Sequence, residues 1–401
     1  MSTTTATTKR SRAVDGYEFV TGYEERLMEE ILEMEADSEW IHDIKTRELR
    51  LIPAEYPVYA ESTADEYNLQ YEDVFDTMQE DGTRQLVHDC WNDRVWCLAS
   101  TGITAVNDRA KLFGSALGRM APNAFAVCIN NAFEVAKDGA TLGYVVNNRL
   151  ASMHAENTYE IMQISQLFRI AKEQLEKDFG YARFISGTNR LDMTICEWAL
   201  PEMQEAIVSS YEQALRDNGV DTRFDIENLM PVVRFQTSNT SNSSAFLFPM
   251  FRMKNGSYLR MVEPVGVKHE QRSNTSGEDL FAQEAGGLYP KFFETANTVK
   301  ELADIMVYHG PNCVVNLCKR YSIPKKYGED ARAMVESFTD GGIEPISAHD
   351  IYLAISQSVG KARFGKVGTS LVLQMEDAVA RMLRADWSEH DVGGSVTWGT
   401  K

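Results

Sequence analysis

The chain has 401 residues, 43% of them hydrophobic and 25% charged, with a formal net charge of −19 at pH 7. That length and apolar content support a buried core in one large domain or two ordinary ones and exclude disorder throughout. No apolar stretch approaches the roughly 18 residues of a membrane helix, and six cysteines without a C-x-x-C pair fit neither a disulfide framework nor a zinc ribbon.

The acidity is uneven. Residues 1–81 hold 21 of the 59 Asp and Glu but only 7 of the 40 Lys and Arg, leaving 38 acids and 33 bases in the other 320 residues. A local basic face is therefore open to the body of the chain. The first 20 residues are Thr-rich with Lys9, Arg10 and Arg12 and lack the apolar run of a signal peptide, so a tail on a cytoplasmic protein is expected. Glu24–Ala36 spaces Leu27, Met28, Ile31, Leu32 and Met34 at helical intervals among glutamates, which predicts a surface helix with one apolar stripe. Residues 60–81, acidic with Tyr67, Tyr71 and Phe75, fit either a short amphipathic helix or an acidic arm. Residues 1–81 are accordingly expected as a flexible tail plus an acidic helical arm.

An α+β body is expected over residues 82–276, beginning with the strand-like RVWCLAS and LGYVVNN. In ENTYEIMQISQLFRIAKEQLEKDFG the apolar spacing predicts a helix closing on Gly180. Alternation in RLDMTICEW predicts a strand, and Pro201 opens a helix that ends at Gly219. Next comes SNTSNSS, whose side chains favour local backbone bonds and turns. It precedes two apolar runs flanking Lys254-Asn255-Gly256-Ser257, which predicts a β-hairpin near residues 245–262. With Lys254 facing Ser257, Tyr258 and Arg260 share a face with Leu247 and Phe251, while Arg252 lies on the other. Both faces are mainly apolar, so the hairpin is either covered twice or presents one face to a partner. Pro249 suggests an edge or a bulge. Residues 277–386 are expected to be helical, in segments 278–307, 311–321, 325–338, 347–358 and 370–385, with Ser347 as an N-cap and 387–401 as a tail. The fold class expected is α+β: a mixed or antiparallel sheet body, a mainly helical C-terminal half and an acidic N-terminal arm.

No catalytic residue, metal ligand or cofactor is implied. GKARFGKVG matches G-x-x-x-x-G-K but continues with Val367 where a phosphate-binding loop needs Ser or Thr. Lys361, Arg363 and Lys366 are left as candidate phosphate contacts ahead of a helix near Ser370. The seven histidines are scattered without metal-ligand spacing, and His88-Asp89-Cys90 are chain neighbours that do not face one another. Around the hairpin, Arg234, Arg252, Lys254, Arg260, Lys268 and Arg272 with Phe251 and Tyr258 supply the cations and rings that a single-stranded nucleic acid surface uses. A packed hairpin with solvated cations at its rim accounts for the same residues.

Several segments, in order, resemble an uncharacterised family carried by bacteriophages, prophages and plasmids, the domain of unknown function numbered nine-three-two. They are LGYVVNNRLASMHAENTYEIM, PVVRFQTSN, FLFPMFR with VKHEQRS, RYSIPKKYG, SAHDIYLAI and MEDAVARMLRADWSEHD, spanning roughly residues 100–391. Where relatives are expected to carry Thr-Ser-Asp-Val-Gly, this chain has Thr237-Ser238-Asn239-Thr240-Ser241. The resemblance implies a mobile-element setting and no activity. Together with the hairpin it leads to the expectation of a non-enzymatic, oligomeric single-stranded-DNA binding or annealing factor in replication, recombination or counter-defence. The alternative is a self-assembling virion protein.

Overall fold

The computed structural model describes residues 17–79, 84–137, 139–240, 242–271, 275–365 and 367–398. The N-terminal part runs β1 (Phe19–Thr21), α1 (Glu24–Ala36), β2 (Ser38–Lys45), β3 (Leu49–Pro53), α2 (Ala60–Tyr67), α3 (Tyr71–Gln79), β4 (Gln85–Asp89), β5 (Arg94–Leu98), α4 (Ser100–Ala110), α5 (Pro122–Glu134), β6 (Ala140–Val146) and β7 (Arg149–Ala155). The middle runs α6 (Ile164–Phe179), β8 (Arg183–Arg190), β9 (Met193–Ala199), α7 (Gln204–Asp217), β10 (Met230–Thr237), β11 (Ala245–Arg252), β12 (Tyr258–Leu259) and β13 (Val265–Val267). The remainder is α8 (Gly277–Ala285), α9 (Leu288–Asp304), β14 (Met306–Val307), α10 (Gly310–Arg320), α11 (Lys325–Phe338), β15 (Ile346–Ser347), α12 (Ala348–Gly360), α13 (Thr369–Arg381) and α14 (Trp387–His390). The chain is α+β, and its C-terminal part is helical apart from the short β14–β15 pair.

Local chemistry accounts for the helix ends. Ile164, Leu167, Phe168, Ala171, Leu175 and Phe179 form the buried stripe of α6, which stops where Gly180 takes φ 69°. Ser347 caps α12 by accepting from the Asp350 amide, and Ser276 caps α8 by accepting from that of Asp279. The helix expected over 278–307 is two helices, because Gly286-Gly287 interrupts it between α8 and α9.

The larger sheet has the order β1-β8-β9-β10-β11-β12, all antiparallel, with β13 also on β11. One face sends Cys196, Trp198, Val233, Phe235, Leu247 and Phe251 into the main core, where α6–α9 and the C-terminal helices pack. The alternate residues Ala199, Val232, Phe248, Met250 and Tyr258 form a second cluster on the opposite face. The hairpin is thus covered on both sides, but its register differs from that expected. Phe251 pairs with Leu259 and Arg252 with Tyr258, the Met253 amide donates to Ser257 O, and Gly256 takes φ +82°. The loop therefore has three residues, Lys254 to Gly256, ending in a left-handed glycine rather than a two-residue turn. That one-residue slip moves Tyr258 and Arg260 to the face of Phe248 and Arg252, and Arg260 Cζ lies 4.6 Å from the Phe248 ring centroid. Pro249 sits in the interval between the β12 and β13 pairings, where β11 has no ladder partner on that side.

The second sheet has the order β2-β6-β7-β5-β4-β3, with β5–β7 its one parallel pair. Helices α4 and α5 cover one face through Val106, Phe125, Ile129 and Phe133, and α2 and α3 cover part of the other through Ala60, Ala64, Val74 and Met78. The segment expected as an acidic arm is therefore part of the body. β1 extends the larger sheet, β2 and β3 are strands of the second, and α1 bridges both by burying Leu27 and Ile31 in the main core and Met34 against the second sheet. Most of its described acids lie on the solvent sides of these elements, with Glu30 of α1 buried, so a charge count over the whole segment conceals the buried stripe.

Between the sheets lies a seam of rings. Tyr159 stacks on His154 at 3.8 Å and on His269 at 5.2 Å. His154 Nε2 lies 3.0 Å from Asn239 O, and His269 Nδ1 lies 3.1 Å from Glu160 O. The first three residues of the Ser/Asn/Thr run, Ser238, Asn239 and Thr240, are thus buried at the seam and serve the architecture there. Burial lowers both imidazoles to about 4. The unfolded chain protonates these rings near pH 6.5 while the folded chain does not, so their contribution to stability is complete above pH 6.5 and is lost as pH falls toward 4. Urea unfolding is expected to lose about 2 kcal/mol per histidine between pH 6.5 and 5. A His154→Gln, His269→Gln double variant should flatten that slope; an unchanged slope would contradict the assignment.

Candidate ligand pocket and its buried ion cluster

Four charged side chains meet on the second face of the larger sheet. Glu197 of β9 stands opposite Arg234 of β10 in the ladder, and the 361–364 turn and α13 bring Arg363 and Glu376 over them. Arg234 Nε donates to Glu197 Oε1 at 2.9 Å and its Nη1 to Glu376 Oε2 at 2.7 Å. Arg363 grips Glu376 with two bonds, Nε to Oε1 at 2.6 Å and Nη2 to Oε2 at 2.9 Å. Tyr258 donates to Glu197 Oε2 at 2.5 Å, with Arg363 Cζ 4.2 Å and Arg234 Cζ 5.3 Å from its ring centroid.

Arg234, Glu197 and Glu376 are buried and Arg363 is partly exposed. Burial raises the cost of ionising Glu376, but Arg234 and Arg363 outweigh it and bring its pKa down to about 2. Burial likewise opposes the charge on Arg234, and Glu376 and Glu197 outweigh it, so the guanidinium stays protonated. For Tyr258, burial and then Glu197 push the hydroxyl above the ordinary tyrosine range, which keeps it a donor.

Beside this cluster is a cavity of about 310 Å³. Val20, Ser186, Thr188 and Ile195 of the sheet form its floor, and Thr369, Val372 and Leu373 of α13 one wall. Glu197, Arg234 and Arg363 close one end, and Glu18 also contributes to the lining. Arg234 Nη2 is buried with no hydrogen-bond partner among the described residues.

The sequence-predicted residues are dispersed by this geometry. Arg234 belongs to the ion cluster, and Phe251 is in the main core against Tyr211 and Phe292. Tyr258 is buried, and Arg260 is paired with Asp377. Arg252, Lys254 and Lys268 are exposed, the last lying 3.5 Å from Glu270, while Arg272 is outside the described residues. Of the second group, Arg363 joins Arg234 through their shared Glu376, Lys361 is paired with Asp330 at 3.1 Å, and Lys366 is outside the described residues. Gly360 has a packing role, since a Cβ there would lie 2.2 Å from Ser257 Oγ in the hairpin turn.

Glu197 and Glu376 escaped sequence reasoning. Their signal is charge inside an otherwise apolar element, one acid in TICEWAL and the adjacent Glu376 and Asp377 in LVLQMEDAV, the same kind of signal Arg234 gives in PVVRFQT. A second chain of polar groups, Tyr211 OH to His349 Nε2 at 2.7 Å and His349 Nδ1 to Asp350 Oδ1 at 2.8 Å, resembles a proton relay. All three are buried in the core, so it ties α7 to α12. Cys90 Sγ, in the turn just after β4, lies 3.7 Å from His88 Nδ1 on that strand. Burial raises that thiol's pKa, which disfavours the nucleophilic thiolate. Among the described residues no group of three or more His, Cys, Asp or Glu is placed to hold a metal ion, and no helix is long and apolar enough to cross a membrane.

In comparisons with known proteins, no family model, no curated protein and no solved structure matches the chain.

Removing one member of the cluster leaves a buried charge uncompensated. Glu376→Ala is expected to cost about 3–5 kcal/mol in urea unfolding, whereas Lys254→Ala, at an exposed cation outside the cluster, should change stability by less than about 0.5 kcal/mol. Equal small effects would contradict the assignment.

Proposed function

We propose that the chain recognises a small polar molecule in the pocket between the second face of the larger sheet and α13. The observation that carries this is the Nη2 of Arg234, a buried donor with no partner among the described residues, on a side chain that lines a cavity of about 310 Å³. That volume is at the lower end of small-ligand sites. A ligand acceptor atom completes the Arg234 bonds and removes the penalty of a buried unpaired donor. The hydroxyls of Ser186 and Thr188 serve as secondary partners, and Val20, Ile195, Val372 and Leu373 receive a carbon face.

Two carboxylates already balance two guanidiniums at the inner end of the pocket. That balance favours an uncharged acceptor such as a carbonyl, amide or hydroxyl over an anion, which would compete with Glu197 and Glu376. A phage- or plasmid-borne setting, as the resemblance implies, remains the proposed context. Single-strand binding at the hairpin is the weaker proposal: of the eight residues expected to carry it, Arg252, Lys254 and Lys268 are the exposed cations among those described.

Thr188 lines the pocket and is only partly buried, so Thr188→Phe fills the cavity while sparing the ion cluster. In a thermal-shift screen of sugars, nucleosides, amides and carboxylates, a cognate compound at a hundredfold excess over Kd should raise Tm by about 3 °C in the wild type and leave Thr188→Phe unmoved. Equal shifts in both proteins, or no shift from any class, would remove the pocket as the recognition site.

A further inference from the structure

A second site stands apart from the pocket, at one end of the six-stranded sheet. Three chain segments meet there: the turn at residues 46–48 between β2 and β3, the turn at residues 90–93 between β4 and β5, and the residues just before β6. They enclose an open groove of about 620 Å³ whose lining includes Trp91, Lys45, Arg47 and Lys137, with Glu48 as the one acid of the lining among the described residues. Trp91 is 60% exposed, an unusual position for the largest apolar ring. Its turn is held from beneath, since Asp89 Oδ1 accepts from the Trp91 amide at 3.1 Å and Asp89 Oδ2 from Asn92 Nδ2 at 2.7 Å. Lys45 Nζ stands 5.8 Å from the Trp91 ring centroid while also contacting Asp43. Arg47 is steadied by donation from Nε to Ala136 O at 2.6 Å, and Lys137 is exposed with no ion pair among the described residues.

We propose that this groove binds single-stranded nucleic acid, with one base stacked on Trp91 and the adjoining phosphates on Lys45, Arg47 and Lys137. A preorganised exposed ring beside clustered cations is the combination that sequence-tolerant single-strand surfaces use. Bases within a duplex are already stacked on both faces, so the ring selects an unpaired base. The chain's net charge of −19 does not oppose this directly, because among the described residues three of the groove's four charged lining residues are cations and distant charges are screened at physiological salt.

The test is fluorescence anisotropy of a labelled ten-residue oligothymidine, titrated with full-length protein at about 50 and 200 mM salt. Three phosphate contacts on a single strand imply an affinity loss of roughly 20-fold over that interval. Trp91→Ala should weaken binding about tenfold or more, Trp91→Phe should largely retain it, and Lys137→Glu should weaken it and flatten the salt dependence. Both positions are exposed, and an unchanged Tm in each variant establishes that folding is intact. Absence of binding at about 50 mM salt would overturn the proposal. So would binding lost on Arg252→Glu and Lys254→Glu but kept in Trp91→Ala, which would return it to the hairpin. Competition by thymidine monophosphate as strong, per nucleotide, as by unlabelled oligothymidine would reassign the groove to free nucleotides and overturn the single-strand claim. None of these results bears on the pocket at Arg234, which Thr188→Phe tests separately.

Discussion

Two guanidiniums and two carboxylates share a buried space between a sheet and a helix, and none can leave without stranding a charge. In so weakly polar a setting an unpaired charge costs far more than a lost surface ion pair, so the four groups fix one another's positions. Arg234 and Glu197 are held by their places in the ladder, and they in turn fix where Glu376 and Arg363 stand. Helix α13 and the 361–364 turn are thereby pinned over a sheet face that would otherwise be open. The Gly360 contact with Ser257 and the close approach of Phe364 to Gly256 follow from that placement. The pocket is what remains where α13 passes over β8 and β1, beyond the reach of the Tyr258 and Phe248 cluster.

The arrangement places specificity ahead of net stability. Replacing a buried ion cluster with apolar residues is often neutral or stabilising, so such a cluster is better explained by what it positions. Here it holds a guanidinium at the end of a cavity with one nitrogen unpaired among the described residues. Its other two nitrogens are engaged by Glu197 and Glu376, so the side chain is oriented before any ligand arrives, and little conformational entropy is lost on binding.

Much of the fold was legible in the sequence because it rests on short-range rules. The stripe of α6 and its Gly180 stop, the Ser347 cap and the existence of the hairpin each depend on residues within a few positions of one another. The hairpin register was not legible, since Asn-Gly serves both as a two-residue turn and as the last two residues of a three-residue loop. Only the pairing of Phe251 with Leu259 distinguishes them, and the difference moves Tyr258 into contact with Glu197. The ion cluster was illegible for another reason: Arg234 finds its acids 37 and 142 residues away. The acidic N-terminal segment misled through averaging, because Ser38–Lys45 buries both Ile41 and Ile44 by way of a bulge between them, within a strand that also carries Glu39 and Asp43.

The dependence of α13 on the ion cluster is tested most directly by amide hydrogen exchange across Thr369–Arg381 in the wild type and in Glu376→Gln, which keeps the side-chain shape but removes its charge. Exchange should rise throughout α13 in the variant while the β9–β10 ladder amides stay protected, because the helix loses its anchor and the sheet keeps its own bonds. Equal protection of α13 in both proteins would show that apolar packing on α12 alone holds the helix in place, and would contradict the account.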